Sequence, residues 1–100
     1  MIVRMLHYRV KPGKLDEYLK LFAGIEERTA NVEGLSFFNL FRDQEDPNTL
    51  FLVLVLDDEA ALERYNEVGP DEEYTAAVTP LIEEFGLANT YEVSGVKPIF

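Results

Sequence analysis

Residues 35–56 read LSFFNLFRDQEDPNTLFLVLVL, two apolar segments separated by a polar turn. Asp46-Pro47-Asn48 is suited to the turn, because proline fixes φ for the second turn position and the preceding aspartate can accept bonds from the amides that follow. The pattern therefore predicts a β-hairpin with strands at 35–43 and 50–57.

The second strand of this hairpin has no polar residue on either face between positions 51 and 56. A half-solvated antiparallel strand alternates apolar and polar residues, so both faces of this strand should be covered. The chain's own helices can cover one face, and a second copy of the sheet can cover the other, which predicts a homodimer through the sheet face. We expect Leu52, Leu54 and Leu56 to face the helices, and we expect the partner to meet Phe51, Val53, Val55, Val3 and Met5.

The composition narrows the class of protein. One hundred residues with 47% apolar content predict a single domain, 1–100, with no linker. The absence of cysteine excludes disulfides and thiolate chemistry. The apolar segments are shorter than the roughly 20 residues that cross a bilayer, and the N-terminus lacks the layout of a signal peptide, so we expect a cytoplasmic protein. A net charge of −10 disfavours binding to nucleic acid or to an anionic membrane.

The flanking segments complete an alternating series of strands and helices. Residues 2–10 predict a strand, with Arg4, Leu6 and Tyr8 on one face and His7 on the other, and helical spacing begins at Leu15. After the hairpin, the pair at 57–58 predicts the start of a short helix.

The C-terminal part predicts a second helix and a last strand. The sequence at 69–73 predicts the start of a helix whose buried face extends from Tyr74 to Phe85, with a kink near Thr79 caused by Pro80. A last strand is expected at 88–96, and the apolar tail 97–100 is expected to dock on a partner subunit. The order of elements predicts an α+β, ferredoxin-like βαββαβ fold with a four-stranded antiparallel sheet in the order 4-1-3-2.

The chain contains several short motifs, which are VKPGK at 10–14, the amphipathic helix after it, EGL at 33–35, DP at 46–47 and DDEAAL at 57–62. Together they resemble those of the antibiotic biosynthesis monooxygenase family of dimeric α+β barrels. The resemblance extends through most of the chain to about Phe85. It implies a dimeric α+β barrel with a small-molecule pocket between the sheet and the helices.

The sequence departs from this family at three positions. Many members have a tryptophan at the position of Leu56, and haem-degrading members have an asparagine and a histidine that correspond to Leu6 and Val78. Aliphatic side chains can neither ligate haem iron nor hydrogen-bond to a bound dioxygen species, so the resemblance does not extend to haem oxygenation. We expect no cofactor.

The candidate catalytic residues are His7 and Tyr74. His7 is the only histidine, a residue type that can exchange protons near neutral pH, but a lone polar residue on a buried face is more often a hydrogen-bonded group, here in the dimer interior. Tyr74 and Tyr65 lie on the helices that would roof the pocket, where a phenol can pack in the core or donate a proton to a substrate oxygen. The candidate substrate-binding residues are Arg4, Leu6, Tyr8, Leu56, Tyr65 and Val78. Arg4 lies near a strand end and can equally be solvated.

Several site types lack their required residues. The sequence has no glycine-rich phosphate loop, no GxSxG, no HExxH and no Cys/His metal spacing, and helix starts explain the acids at 57–59 and 71–73. We therefore expect no metal site. Two functions remain open. One is a small cofactor-independent monooxygenase acting on an aromatic or polyketide-like substrate, and the other is a non-catalytic dimeric module that binds a small molecule or serves as an accessory subunit.

Overall fold

The structure is a computed structural model and describes residues 1–93. The last part of the predicted final strand, 94–96, and the predicted docking tail, 97–100, lie outside the described residues. In chain order the elements are β1 (Ile2–Val10), α1 (Leu15–Thr29), β2 (Leu35–Arg42), β3 (Thr49–Leu56), α2 (Glu59–Val68), α3 (Glu72–Val78), a 3₁₀ turn (Thr79–Leu81) and β4 (Ile82–Glu92).

The four strands form one antiparallel sheet in the order β2-β3-β1-β4. This is the predicted order 4-1-3-2 read from the opposite edge, so the ferredoxin-like prediction is confirmed. The hairpin is also confirmed, and its turn is held by the Thr49 amide, which donates to the Asp46 carbonyl at 2.9 Å, and by the Asn48 amide, which donates to the Asp46 carboxylate at 3.2 Å.

The helices begin where the sequence predicts. Asp58 caps α2 by accepting a bond from the Ala61 amide at 2.9 Å, and Asp71 caps α3 by accepting one from the Tyr74 amide at 2.8 Å. Each carboxylate satisfies one of the amides that the first turn of a helix leaves without a partner. Arg28, at the end of α1, bonds the Asp71 carboxylate at 3.0 Å and the Gly69 carbonyl at 3.1 Å, which ties α1 to the start of α3.

The predicted helical face from Tyr74 to Phe85 is wrong in its second half. The helix ends at Val78 and Pro80 lies in the 3₁₀ turn, but the backbone then becomes extended at Ile82 and does not resume a helix. The last strand consequently begins at Ile82 and not at position 88, and Phe85 is 60% exposed. Pairing of Ile82 with Val10 of β1 outweighs the helical spacing of the apolar residues.

The two faces of the sheet differ in their cover. The helices cover one face, where Leu50, Leu52, Leu54 and Leu56 of β3 are buried, as predicted for the last three. The cross-strand pairs place a second set of side chains on the opposite face, which we call the open face. The open face comprises Val3, Met5, His7, Phe37, Asn39, Phe41, Phe51, Val53, Val55, Leu87, Asn89 and Tyr91.

No helix among residues 1–93 is both long enough and apolar enough to cross a membrane.

Candidate functional site

A cavity of about 420 Å³ lies between the sheet and the helices. We call it the helix–sheet pocket. β1 and β3 form its floor, β4 one edge, and the three helices its roof. Its lining comprises Arg4, Leu6, Tyr8, Tyr18, Phe22, Ile25, Leu52, Tyr65, Asn66, Pro70, Tyr74, Thr75, Val78, Thr79, Ile82 and Phe85.

Arg4 is the only charged side chain among the described residues that line this pocket. It projects from β1 on the helix side, and one guanidinium nitrogen donates to the Thr90 hydroxyl of β4 at 3.1 Å. A guanidinium has five N–H donors, so this bond orients the group and leaves other donors available to a ligand. The pocket therefore carries one fixed positive charge in a chain whose net charge is −10.

Three phenols form a chain of hydrogen bonds along the pocket. The Tyr8 and Tyr18 hydroxyls bond to one another, and the Tyr74 hydroxyl donates to that of Tyr18 at 3.4 Å. Burial raises the pKa of each hydroxyl well above its ordinary value near 10. All three phenols are therefore neutral at physiological pH and can act as hydrogen-bond donors.

Tyr65 of α2 contributes a fourth phenol to the lining. The side chain is 3% exposed, and its ring packs near Phe38 with the centroids 6.3 Å apart. Burial raises the pKa of Tyr65 to about 12, and the charge of Arg4 opposes part of that rise. Tyr65 is consequently a protonated donor near the positive charge of the pocket.

The structure brings six of the predicted site residues into this pocket. They are Arg4, Leu6, Tyr8, Tyr65, Tyr74 and Val78. Leu56 does not line the pocket, because its side chain is completely buried in the core beneath the helices. His7 is on the open face, with the sheet between it and Tyr74, so these two residues cannot contact the same ligand within one chain.

His7 lies instead in a groove of about 440 Å³ on the open face. Its ring meets Phe51 edge to face, with centroids 5.7 Å apart, and Gly86 lies beside it so closely that an added Cβ would be 3.1 Å from Nδ1. Phe41, Asp43 and Leu87 also line this groove. The position of His7 therefore fits the alternative of a group inside a dimer interface better than a role in the helix–sheet pocket.

Sequence reasoning missed Tyr18 as a pocket residue. Tyr18 lies on the buried face of α1, where its helical spacing by itself predicts a core residue. A signal was present, because a tyrosine on a buried stripe needs a polar partner for its hydroxyl, and Tyr8 was predicted on the facing side of the sheet. Asn66 was missed for a different reason, because a single polar residue on a helix carries no pattern of its own.

Comparison with known proteins assigns this chain to a family. The model of the antibiotic biosynthesis monooxygenase family matches residues 1–80. The chain belongs to the antibiotic biosynthesis monooxygenase family. It is also 31% identical over 67 residues to YcnE of Bacillus subtilis strain 168, which is provisionally named a monooxygenase, and the match covers 67% of this chain and 70% of YcnE.

Solved structures share the fold of this family member. A conserved protein from Methanosarcina mazei Go1 superposes with a TM-score of 0.81 at 22% identity, covering 93% of this chain and 92% of the other. A structure described as an antibiotic biosynthesis monooxygenase gives a TM-score of 0.76 at 22% identity, covering 95% and 100% of the two chains. At this level of identity the likeness shows the fold alone.

The residues that line the pocket also determine whether it could hold a haem or a metal ion. Leu6 and Val78, the positions that correspond to the asparagine and histidine of haem-degrading members, are aliphatic and line the pocket, so neither offers a nitrogen ligand to haem iron. Among residues 1–93, no three His, Asp or Glu side chains are grouped so that they could hold a metal ion.

Proposed function

We propose that the helix–sheet pocket binds a planar aromatic or polyketide-like molecule and oxygenates it without a cofactor. The observation that carries this proposal is the pocket itself, because its volume of about 420 Å³ lies within the roughly 300–1,000 Å³ typical of small-molecule sites. Phe22, Phe85, Leu6 and Ile82 offer flat and apolar surfaces to such a ring system. Membership of the monooxygenase family supports the same reaction class.

The proposed reaction takes its electrons from the substrate. An activated CH₂ group of the substrate loses a proton, and the resulting carbanion transfers electrons to O₂ to form a C–O bond and a hydroperoxide. Loss of water then breaks the O–O bond and leaves a carbonyl, so that one oxygen atom enters the product and the other leaves as water. The balance is R₂CH₂ + O₂ → R₂C=O + H₂O, and no external reductant is needed.

Tyr74 is the proposed proton donor for the departing oxygen. Its hydroxyl stays protonated at neutral pH because burial raises its pKa, and Tyr74 is the most exposed of the three bonded phenols. A neutral phenol that reaches the ligand can protonate the leaving oxygen as the O–O bond breaks. The carbon that becomes the carbonyl loses its second C–H proton in the same step, and this proton restores the Tyr74 hydroxyl, directly or through the Tyr18 hydroxyl bonded to it.

A specific observation favours the second function, a non-catalytic binding module. No His, Asp or Glu is found among the described residues that line the pocket, so none of these side chains can accept the first proton there. Turnover therefore requires a substrate acidic enough to release that proton to water. A chain that binds such a molecule without oxidising it would use the same lining.

We also propose that this chain forms a homodimer through its open face. Proteins of the family are typically dimeric. In the single chain, Phe37 and Phe41 are 42% and 45% exposed, and apolar residues of all four strands continue the surface around them. Soluble monomers rarely expose a continuous apolar surface across a whole sheet, and a second copy can cover it.

An oxygen-uptake assay combined with a thermal-shift screen tests the proposed function. Quinols, flavonoids and polyketide-like phenols are added one at a time to the full chain. Oxygen consumption that depends on both protein and phenol supports turnover, and thermal stabilisation without consumption supports the binding module. Absence of both signals across the series would contradict both functions.

A further inference from the structure

The hydroxyl of Tyr65 differs from the other phenols of the pocket in its bonding. The Tyr8, Tyr18 and Tyr74 hydroxyls bond to one another, whereas the Tyr65 hydroxyl has no hydrogen-bond partner among residues 1–93. Every completely buried polar side-chain atom in this part of the chain does have a partner. The Tyr65 oxygen is therefore in contact with the open space of the pocket, although the residue as a whole is only 3% exposed.

The backbone around Tyr65 restricts where this hydroxyl can point. The Gly69 amide donates to the Tyr65 carbonyl at 2.8 Å, and an added Cβ at Gly69 would be 3.4 Å from the ring carbon that bears the hydroxyl. Gly69 thus packs directly against the ring, and Phe38 is its aromatic neighbour. A ring held by packing presents its donor at a defined place, as a binding site for a specific atom requires.

Arg4 supplies the positive charge of the same pocket. One of its guanidinium nitrogens donates to the Thr90 hydroxyl, and its charge opposes part of the rise that burial causes in the pKa of Tyr65. The Tyr65 hydroxyl is open to the pocket and has no partner among residues 1–93, and the same lining holds an oriented cation and no carboxylate. This arrangement is complementary to an oxyanion.

We infer that Arg4 and Tyr65 form a subsite for the anionic oxygen of an ionised phenol or enol. The class of ligand is taken from the proposed function, on which this subsite rests. A flat phenol or enol fits the aromatic walls of the pocket and can place its oxygen at Arg4. The pocket has no His, Asp or Glu side chain among its described lining residues that could accept the first proton of the substrate. A substrate that binds as its anion has already lost that proton, so it needs no such acceptor. Tyr65 and Arg4 thereby select an acidic phenol or enol over a neutral ring of the same shape.

Binding of 4-nitrophenol tests the subsite without any turnover. The phenol and phenolate forms absorb at different wavelengths, so a pH titration in the presence of excess full-length protein, under argon, gives the pKa of the bound probe. We expect the pKa of bound 4-nitrophenol to be at least one unit below that of the free probe, which corresponds to at least tenfold tighter binding of the phenolate than of the phenol. Nitrobenzene, which has a similar ring and no ionisable group, serves as the neutral reference ligand.

Matched variants assign the effect to particular residues. Tyr65→Phe is expected to weaken phenolate binding about tenfold while leaving nitrobenzene binding unchanged, because it removes only the free hydroxyl. Arg4→Gln is expected to abolish the lowering of the probe's pKa. If Arg4→Gln does not fold, Arg4→Lys is the second variant, because it keeps the positive charge but lacks the planar guanidinium. It is expected to lower the pKa of bound 4-nitrophenol by less than the wild type does. Tyr91→Phe removes a phenol from the open face and is expected to leave the titration unchanged.

The outcomes separate this inference from the proposed function. If the protein binds 4-nitrophenol with an unchanged or raised pKa, the subsite is refuted while the pocket remains a ligand site. If Tyr74→Phe removes the preference for the phenolate and Tyr65→Phe does not, the assignment to Tyr65 is equally refuted. If neither 4-nitrophenol nor nitrobenzene binds at millimolar concentration, the pocket does not take aromatic ligands, and the subsite and the proposed function both fail.

Discussion

Replacing Val53 with aspartate would place a carboxylate at the centre of the open face, between Met5 of β1 and Asn39 of β2. In the proposed homodimer this position is covered by the partner, so the two-fold symmetry would bury two such carboxylates. We expect Val53→Asp to convert the dimer into a monomer or an aggregate.

The expected size of the effect follows from the open face. Its apolar side chains are partly exposed in the single chain, and full burial of such a side chain is worth about 1.5–3 kcal/mol, so pairing would contribute on the order of 1 kcal/mol for each. Summed over both chains this is on the order of 10–20 kcal/mol, from which association removes about 4–15 kcal/mol. With the middle of each range, about 15 kcal/mol gained and about 10 kcal/mol lost, the surplus is about 5 kcal/mol. Each uncompensated buried carboxylate costs several kcal/mol, so two of them should exceed this surplus.

Size-exclusion chromatography with light scattering measures the outcome. The wild-type chain should elute with the mass of two chains at micromolar concentration, and Val53→Asp should not. Asn31→Asp is the matched control, because it adds the same charge at an exposed position away from the sheet and should remain a dimer. A wild-type mass of one chain would refute the reasoning, because it would show that the open face does not need a second copy.

Two further predictions concern stability and are checked by urea unfolding. Gly34→Ala should destabilise the chain, because Gly34 has φ of +89° and an added Cβ would be 2.6 Å from the Cβ of Ala61. Gly24→Ala on α1 is the control, because its Cβ would meet nothing within 4 Å, and it should stabilise the chain by about 0.5–1 kcal/mol. Equal effects of the two substitutions would contradict this account. Asp71→Asn should lower the free energy of unfolding at pH 7, because the Tyr74 amide and the Arg28 guanidinium both bond the carboxylate and hold its pKa below the ordinary value. A depressed pKa contributes stability that is present above the unfolded pKa, near 4, and is lost as pH falls through the folded pKa. The difference in unfolding free energy between wild type and Asp71→Asn should therefore shrink on acidification. A difference that does not depend on pH would contradict this role of the Asp71 carboxylate.

The sequence predicted the hairpin and the burial of β3 well because both depend on local chemistry. The turn residues at 46–48 fix the connection, and a period of two assigns alternate residues of β3 to opposite faces. The end of α3 could not be predicted in this way, because the apolar residues from Tyr74 to Phe85 fit a helical period. Pairing with β1, which is a non-local interaction, decides the conformation from Ile82 onward.

The site was predictable to the extent that side chains follow strand and helix periodicity. Arg4 and Tyr8 alternate with His7 along β1, so their presence on the helix side follows from the pattern. The sequence indicates that a buried Tyr18 hydroxyl needs a polar partner, but it does not indicate that Tyr74 joins Tyr8 and Tyr18 or that the Tyr65 hydroxyl stays free. Both depend on how far three helices lie from the sheet. Distances between elements that are remote in sequence are not encoded in any single stretch.

Oxygen-isotope labelling tests the central proposal most directly. A phenol or enol that the chain consumes under air is incubated with it under ¹⁸O₂, and the product and the water are analysed by mass spectrometry. A cofactor-independent monooxygenase should place one ¹⁸O atom in the carbonyl of the product and one in water for each O₂ consumed, without added flavin, nicotinamide or metal. Product that carries no ¹⁸O, or oxygen uptake that appears as hydrogen peroxide, would contradict the proposed oxygenation in the helix–sheet pocket.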